Sequence, residues 1–229
     1  MAIFYDYKIL TGMQNMQEDS NLLDFAIENS LGEPIFRLYG WSPACVSLGR
    51  NQSDENVNVE YCRQNNIDIV KRLTGGRALL HDNEVTYAII LPASFLNNGE
   101  TVINSYKEIS NILINAFKYL GIEVDFPQNK KVSSKFDYCM SISTGADLSY
   151  EGKKVVGSAQ YRKQGYILQH GSILIDFDEE KIETIFNEKI APDSITTLKT
   201  INPNISIEML TEALQRGYDD FIKSYSSSN

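Results

Sequence analysis

The 229-residue chain carries a formal charge of −9 and is 42% hydrophobic, with a pI near 4.8. So acidic a chain is not a general nucleic-acid binder, because a basic face supplies most of that affinity. No apolar run approaches the roughly 20 residues that span a bilayer, and Met1-Ala2-Ile3-Phe4-Tyr5-Asp6-Tyr7 lacks the basic start and apolar core of a signal peptide. A cytoplasmic protein of one domain, residues 1–229, is expected, with no membrane and no nucleic-acid partner. The three cysteines, Cys45, Cys62 and Cys139, are too few and too scattered for a disulfide framework or a zinc site. They are buried small residues or reactive thiols.

In chain order, Met16 to Ser30 has apolar residues at 22, 23, 26 and 27, the spacing of a helix. Ile35 to Tyr39 alternates as a strand and stops at Gly40-Trp41-Ser42-Pro43. Cys45 to Gly49 reads as the next strand, Val57 to Asn66 as a short helix, and Ile67 to Arg72 as a strand. Leu79-Leu80 and Val85 to Leu91 are further strands, the latter stopped by Pro92. Val102 to Leu120 is the clearest helix, with Ile109, Ile112, Leu113, Ala116, Phe117 and Leu120 on one face and Gly121 as its cap. Val124-Asp125-Phe126 opens the next segment. Lys130 to Phe136 reads as a loop, and Cys139 to Leu148 has no clear period. Lys154 to Ser158 and Tyr166 to Asp176 are strands, with a turn at Lys163-Gln164-Gly165. Helices at Glu179 to Phe186 and Ile207 to Tyr225 close the chain. Strands in consecutive groups with helices between them predict an α+β fold with a mixed, largely antiparallel sheet and packed helices.

The charge is uneven. Between Asn129 and Lys163, seven Lys/Arg face three acids, a local excess of +4 that leaves −13 on the rest. Such a zone suits an acidic macromolecular partner or an anionic small ligand, although a solvated lysine-rich loop has the same composition. Inside it, Cys139 would need neighbouring positive charge to be a thiolate at pH 7. Lys153-Lys154 precedes Val155-Val156, and neighbours on a strand face opposite ways. Pattern alone leaves open which lysine points inward. Upstream, Lys71-Arg72-Leu73-Thr74-Gly75-Gly76-Arg77 puts two glycines between cations after a strand, where the backbone can approach a ligand closely. It is neither a P-loop nor a GxGxxG fingerprint. His81 follows at a strand end beside Asp82.

Three ordered segments carry a resemblance: Arg72 to Asp82, Gly152 to Gln160, and Leu168-Gln169-His170-Gly171-Ser172-Ile173-Leu174. With Phe36 to Trp41 and Val46 to Gly49, they resemble the lipoate–protein ligase and octanoyltransferase family, whose catalytic domain is related to biotin protein ligase. The resemblance spans about Asn15 to Tyr225 and is closest to the cysteine-dependent octanoyltransferases. Ligases of the family typically have a third glycine where this chain has Arg77, and often a C-terminal domain near whose expected start this chain stops. The transferases resemble GGRAVLHDxELTY, as Gly75 to Tyr87 does here, and their cysteine lies fifteen positions before the motif lysine, as Cys139 does before Lys154. Cys139-Met140-Ser141 departs from the usual Phe and Pro-Ser after that cysteine. Met16-Gln17-Glu18-Asp19-Ser20 departs from the usual NMAxDE.

The resemblance implies transfer of an octanoyl group from octanoyl-acyl carrier protein, through a Cys139 thioester, to a lysine of a lipoyl-accepting protein, usually the glycine cleavage H protein. Exchange between thiols is nearly neutral and thioester to amide is downhill, so no ATP and no other cofactor or metal is required. Lys154 would activate Cys139 and polarise the acyl carbonyl. Gly75, Gly76, Gly157, Ser158 and Ala159 would bring backbone N–H groups to the acyl carbonyl and pantetheine. Arg72, Arg77 and the lysine zone would meet the acidic carrier. His81 and His170, the latter next to Gly171, would frame the pocket, and the sequence does not choose which moves a proton. The rival reading is an ATP-dependent lipoate–protein ligase acting through lipoyl-adenylate. A non-catalytic acyl-binding module is the reading of a different class.

Overall fold

The computed structural model describes residues 2–127, 147–191 and 194–226. A six-stranded sheet runs in the order β1 (Ile3–Leu10), β2 (Ile35–Trp41), β6 (Glu84–Pro92), β9 (Tyr166–Leu174), β8 (Lys153–Lys163), β7 (Leu148–Tyr150). Only β1 and β2 pair in parallel; every other neighbour in this sheet is antiparallel. A second sheet places β3 (Cys45–Leu48) between β4 (Asp68–Lys71), parallel, and β5 (Leu79–His81), antiparallel. The helices are α1 (Gly12–Glu28), α2 (Val59–Gln64), α3 (Val102–Tyr119), α4 (Glu179–Phe186), α5 (Leu198–Ile201) and α6 (Ile207–Ser226). This is the expected mixed, largely antiparallel α+β arrangement. No helix among the described residues is long and apolar enough to cross a membrane.

Strand alternation decides where the site lies. Phe36 and Leu38 of β2, Val85, Tyr87, Ile89 and Leu91 of β6, and Ile167 and Ile173 of β9 share a core with Ile109, Ile112 and Leu113 of α3 and Leu210 and Leu214 of α6. The opposite face carries Ile35, Tyr39 and Trp41, Ala88 and Ile90, and Leu168, packed against Leu22, Leu23 and Ala26 of α1. Arg37, Glu84, Thr86, His170 and Ser172 fall on this second face by the same period-two count, and all are buried. The small sheet has its own core with α2 and α4, built from Val46, Leu80, Cys62, Ile182 and Phe186.

Several boundaries follow local chemistry. Helix α1 begins four residues before the apolar pattern does, because Thr11 and Gln14 form a reciprocal capping box. Helix α3 ends with Gly121 at φ +72° and Ile122 N–H donating to Phe117 O at 2.9 Å, a left-handed stop that favours glycine. Gln164 and Gly165, at φ +49° and +82°, make the two-residue turn that joins β8 to β9. Cys45 and Cys62 are fully buried, and burial pushes both thiols up from their ordinary value. Both are thus buried small residues, the first of the two readings open to them. Cys139 and the loop at Lys130 to Phe136 lie outside the described residues.

Candidate active site

A pocket enclosing about 390 Å³, part of it open to solvent, lies between the α1 face of the large sheet and the small sheet. Its wall includes Met16 from α1, Tyr39 and Trp41 from β2, Ser47 from β3, Leu79 and His81 from β5 and Thr86 from β6. Arg72 follows β4, while Gly157, Ser158 and Ala159 come from β8 and His170, Gly171 and Ser172 from β9. Of the residues expected from sequence, Arg72, His81, Gly157, Ser158, Ala159, His170 and Gly171 therefore converge. Antiparallel register brings the last two motifs together, with Ser158 opposite Gly171 and Ala159 opposite His170. A Cβ at Gly171 would lie 2.6 Å from Tyr87 Cε1 and 2.7 Å from Gly157 O, so only glycine lets β6, β8 and β9 pack this closely.

Arg72 is a correction. Its expected meeting with an acidic carrier does not fit a residue that is 7% exposed. Its guanidinium donates to Ser47 O at 2.8 Å, Ser47 Oγ at 3.0 Å, Thr74 Oγ1 at 3.2 Å, Gly75 O at 2.9 Å and Arg77 O at 2.6 Å. Arg72 thus holds the glycine loop in place from below. Gly76 sits at φ +91°, and a Cβ there would press on Arg72 Nη2 at 3.0 Å. Gly75, Gly76 and Arg77 are not among the described residues lining the pocket. Gly75 and Gly76 are exposed, and the loop packs over Gly49, where a Cβ would lie 2.0 Å from Gly76 O. Arg77 keeps one unused donor: its Nη1 is buried with no hydrogen-bond partner among the described residues.

Both histidines are bound at both ring nitrogens. His81 Nδ1 lies 2.8 Å from Glu84 Oε1, and its Nε2 lies 2.7 Å from Ser47 Oγ. The Trp41 indole stacks on the imidazole with centroids 4.0 Å apart and donates Nε1–H to Thr86 Oγ1 at 2.8 Å. The Thr86 and Ser172 hydroxyls each donate a hydrogen bond to one oxygen of Glu84, Oε1 and Oε2 respectively. Burial alone would raise the Glu84 carboxyl, but His81, Ser172 and Thr86 together hold it below its usual range. Glu84 is therefore ionised, and His81 Nδ1 must be the donor.

The second chain runs from Asp19. Its Oδ1 accepts from Arg37 Nη1 at 2.7 Å, and its Oδ2 accepts from Tyr39 OH at 2.9 Å and faces His170 Nδ1 at 3.0 Å. His170 Nε2 lies 2.7 Å from Thr74 Oγ1. Burial pushes His170 below its ordinary value, helped by Arg72 and His81 and opposed by Asp19.

Lys154 faces inward and is 1% exposed, while Lys153 is half-buried. The Lys154 ammonium lies 3.0 Å from Asp147 Oδ2, and Asp147 Oδ1 accepts from the Ser158 N–H at 3.4 Å. Lys154 is not among the described residues lining the pocket; it stands one step behind the wall, tied to Ser158 through Asp147. On the other side of Ser158, Tyr87 OH meets Ser158 Oγ at 2.8 Å. Burial raises the Tyr87 phenol to about 12. It keeps its proton at neutral pH and accepts from Gln169 Nε2 at 2.7 Å.

Sequence reasoning missed Asp19, Arg37, Ser47, Glu84 and Asp147. Their available signal was position: Glu84 and Thr86, like His170 and Ser172, are polar residues at i and i+2 on a strand face whose other members are apolar. Among the described residues, no group of three His, Cys, Asp or Glu side chains is placed to hold a metal ion.

The family described as lipoyl protein ligase A/B catalytic domain matches residues 12–219. Octanoyltransferase LipM of Geobacillus kaustophilus is 34% identical over 224 residues, 90% of this chain and 80% of the relative. Octanoyltransferase LipM of Carboxydothermus hydrogenoformans is 38% identical over 187 residues, 81% and 69% of the two chains. Among solved structures, the bi-partite lipoate protein ligase of Thermoplasma acidophilum superposes with a TM-score of 0.72 at 21% identity, covering 97% of this chain and 83% of that one. That last likeness concerns the fold, whereas the family match and the relatives concern descent. The chain belongs to the lipoyl protein ligase A/B catalytic-domain family.

Proposed function

We propose that this protein is an octanoyltransferase that moves an octanoyl group from octanoyl-acyl carrier protein to a lysine of a lipoyl-accepting protein, such as the glycine cleavage H protein. The carrying observation is the kinship with octanoyltransferases at 34% and 38% identity, joined to a pocket walled by residues of the three sequence motifs. Leu79, Met16 and the aromatic faces of Tyr39 and Trp41 supply apolar surface for an acyl chain. Gly157, Ser158 and Ala159 line the pocket and supply backbone that a thioester can approach.

Cys139 is the proposed nucleophile. It attacks the carrier thioester, the carrier thiol leaves, and the acyl-Cys139 intermediate then acylates the acceptor lysine, dividing one transfer into two easier steps. Lys154, held by Asp147 beside Ser158, is the proposed cation that lowers the thiol's pKa and polarises the acyl carbonyl. Arg77, half-buried beside the exposed Gly75 and Gly76, is the proposed loop contact for the acidic carrier, in place of the buried Arg72.

The test is transfer to a lipoyl domain from octanoyl-carrier protein without ATP. Octanoylated acceptor in that mixture is the expected result. Product formed only from free acid plus ATP would instead identify a ligase acting through an acyl-adenylate.

A further inference from the structure

Two carboxylate–histidine–hydroxyl chains meet at Arg72, and they are not equivalent. Arg72 Nη1 donates to Ser47 Oγ at 3.0 Å and Arg72 Nε donates to Thr74 Oγ1 at 3.2 Å. An arginine only donates. Each hydroxyl therefore accepts from Arg72 and has its own proton left for a histidine, at 2.7 Å in both cases. From that symmetrical centre the chains diverge in two respects.

The first is charge. Asp19 is already compensated by Arg37 at 2.7 Å, whereas the ion pair of Glu84 is with His81 alone among the described residues. A proton arriving on His81 completes a buried ion pair. One arriving on His170 adds charge beside a carboxylate that Arg37 already serves. The second respect is access. Ser47 lines the pocket, but Thr74 is fully buried and is not among the described lining residues. The groups facing His81 are Glu84 from β6, the Trp41 ring from β2 and Ser47 from β3, with the Arg72 cation behind Ser47 and His170 across the pocket on β9.

We infer that His81, positioned by Glu84 and opening on the pocket through Ser47, is the residue that accepts the acceptor lysine's proton, while His170 stays neutral and frames the pocket. The inference rests on the acyl transfer proposed above. In the second half-reaction the lysine nitrogen forms a C–N bond to the acyl carbon as the C–S bond to Cys139 breaks. The lysine ammonium loses two protons on its way to an amide. One goes to the departing Cys139 sulfur. The other goes to Ser47 Oγ, whose own proton moves to His81 Nε2, and from there to solvent when the product leaves. Glu84 is a positioning residue: it fixes the Nδ1–H tautomer that leaves Nε2 free to accept.

The test separates the two half-reactions. Wild-type protein, Ser47→Ala, Glu84→Gln, Glu84→Asp and His170→Asn are charged with octanoyl-carrier protein, and octanoyl loading is read by intact mass. A lipoyl domain is then added and loss of the adduct is followed from pH 5.5 to 9. The expected result is normal loading of Ser47→Ala with deacylation slowed on the order of 100-fold, the scale of general-base catalysis. Glu84→Gln should move the midpoint of the deacylation profile to lower pH, because the imidazolium loses its counter-charge, and Glu84→Asp should restore it in part. His170→Asn should leave the midpoint in place whatever its rate. Wild-type deacylation and an unmoved profile in both Ser47→Ala and Glu84→Gln would overturn the relay while leaving acyl transfer intact. A midpoint that follows His170 would reverse the assignment. If the wild-type protein gains no octanoyl mass, both the transfer reading and the relay fall. Ser47→Ala removes only one oxygen, so it decides the matter if a Glu84 variant does not fold.

Discussion

The Lys154 ammonium sits 3.0 Å from the Asp147 carboxylate, with side-chain exposures of 1% and 2%. Two charges this deeply buried are costly to bring in and costlier to separate. Asp147 also receives the Ser158 N–H, so this ion pair is one support of the pocket's β8 wall.

Removing one partner is therefore expected to hurt more than removing both. Asp147→Ala leaves the Lys154 charge without this carboxylate, and a loss of about 3 kcal/mol is expected from the usual penalty for breaking such pairs. Asp147→Leu combined with Lys154→Met should recover part of that loss. Urea unfolding of the single and double variants at pH 7 measures both. A double variant less stable than Asp147→Ala would show that the pair is a net stabiliser.

Stability should fall with pH in two separate windows. His170 lies below its ordinary value of 6.5 in the folded protein, so the unfolded chain binds the proton first. The resulting contribution is whole above about pH 6.5 and declines as pH falls through the folded value. Glu84 lies below its ordinary 4.5, so its contribution is whole above that pH and declines only in stronger acid. Urea midpoints recorded from pH 7 to 4 should show a shallower decline just below pH 6.5 in His170→Gln than in the wild-type chain. Parallel curves would mean that His170 titrates alike in the folded and unfolded states.

Thiol labelling should be selective. Cys45 and Cys62 are buried, and burial raises both thiols, so neither is a nucleophile at neutral pH. Iodoacetamide at pH 7 under native conditions is expected to label the wild-type protein once, at Cys139, and to leave Cys139→Ala unlabelled. Peptide mapping reads the site. Labelling of Cys45 or Cys62 without denaturant would contradict their closed environments.

Much of the fold was legible where amphipathic patterns were long. Helices α3, α4 and α6 and the β8–β9 hairpin stood out because their apolar spacing runs through several turns or because Gln164-Gly165 punctuates them. Strand β1 was not read as a strand. It is an edge strand with Tyr5 and Ile9 exposed and a register shift between Tyr5 and Lys8, so its alternation is blurred. Strand β7 and helix α5 have three and four residues, too few to show a period. At the site, the residues legible in advance were those whose types are rare or sit in dense motifs: Gly157, His81, Lys154 and His170. Their carboxylate partners were not, because Asp19 lies in a polar stretch of α1 and Glu84 and Asp147 look like ordinary surface acids until the chain brings Arg37, His81 and Lys154 to them. Arg72 was legible as a residue and misread as a role, since a loop-facing and a partner-facing arginine look alike in sequence.

The most direct measurement of the central claim is the intact mass of the protein after mixing with octanoyl-carrier protein in the absence of ATP, followed by peptide mapping. The account predicts a gain of one octanoyl group, carried on the peptide containing Cys139, lost in Cys139→Ala and discharged when a lipoyl domain is added. A Cys139→Ala protein that still transfers octanoate at the wild-type rate, or an acyl group that forms only with free acid and ATP, would contradict it.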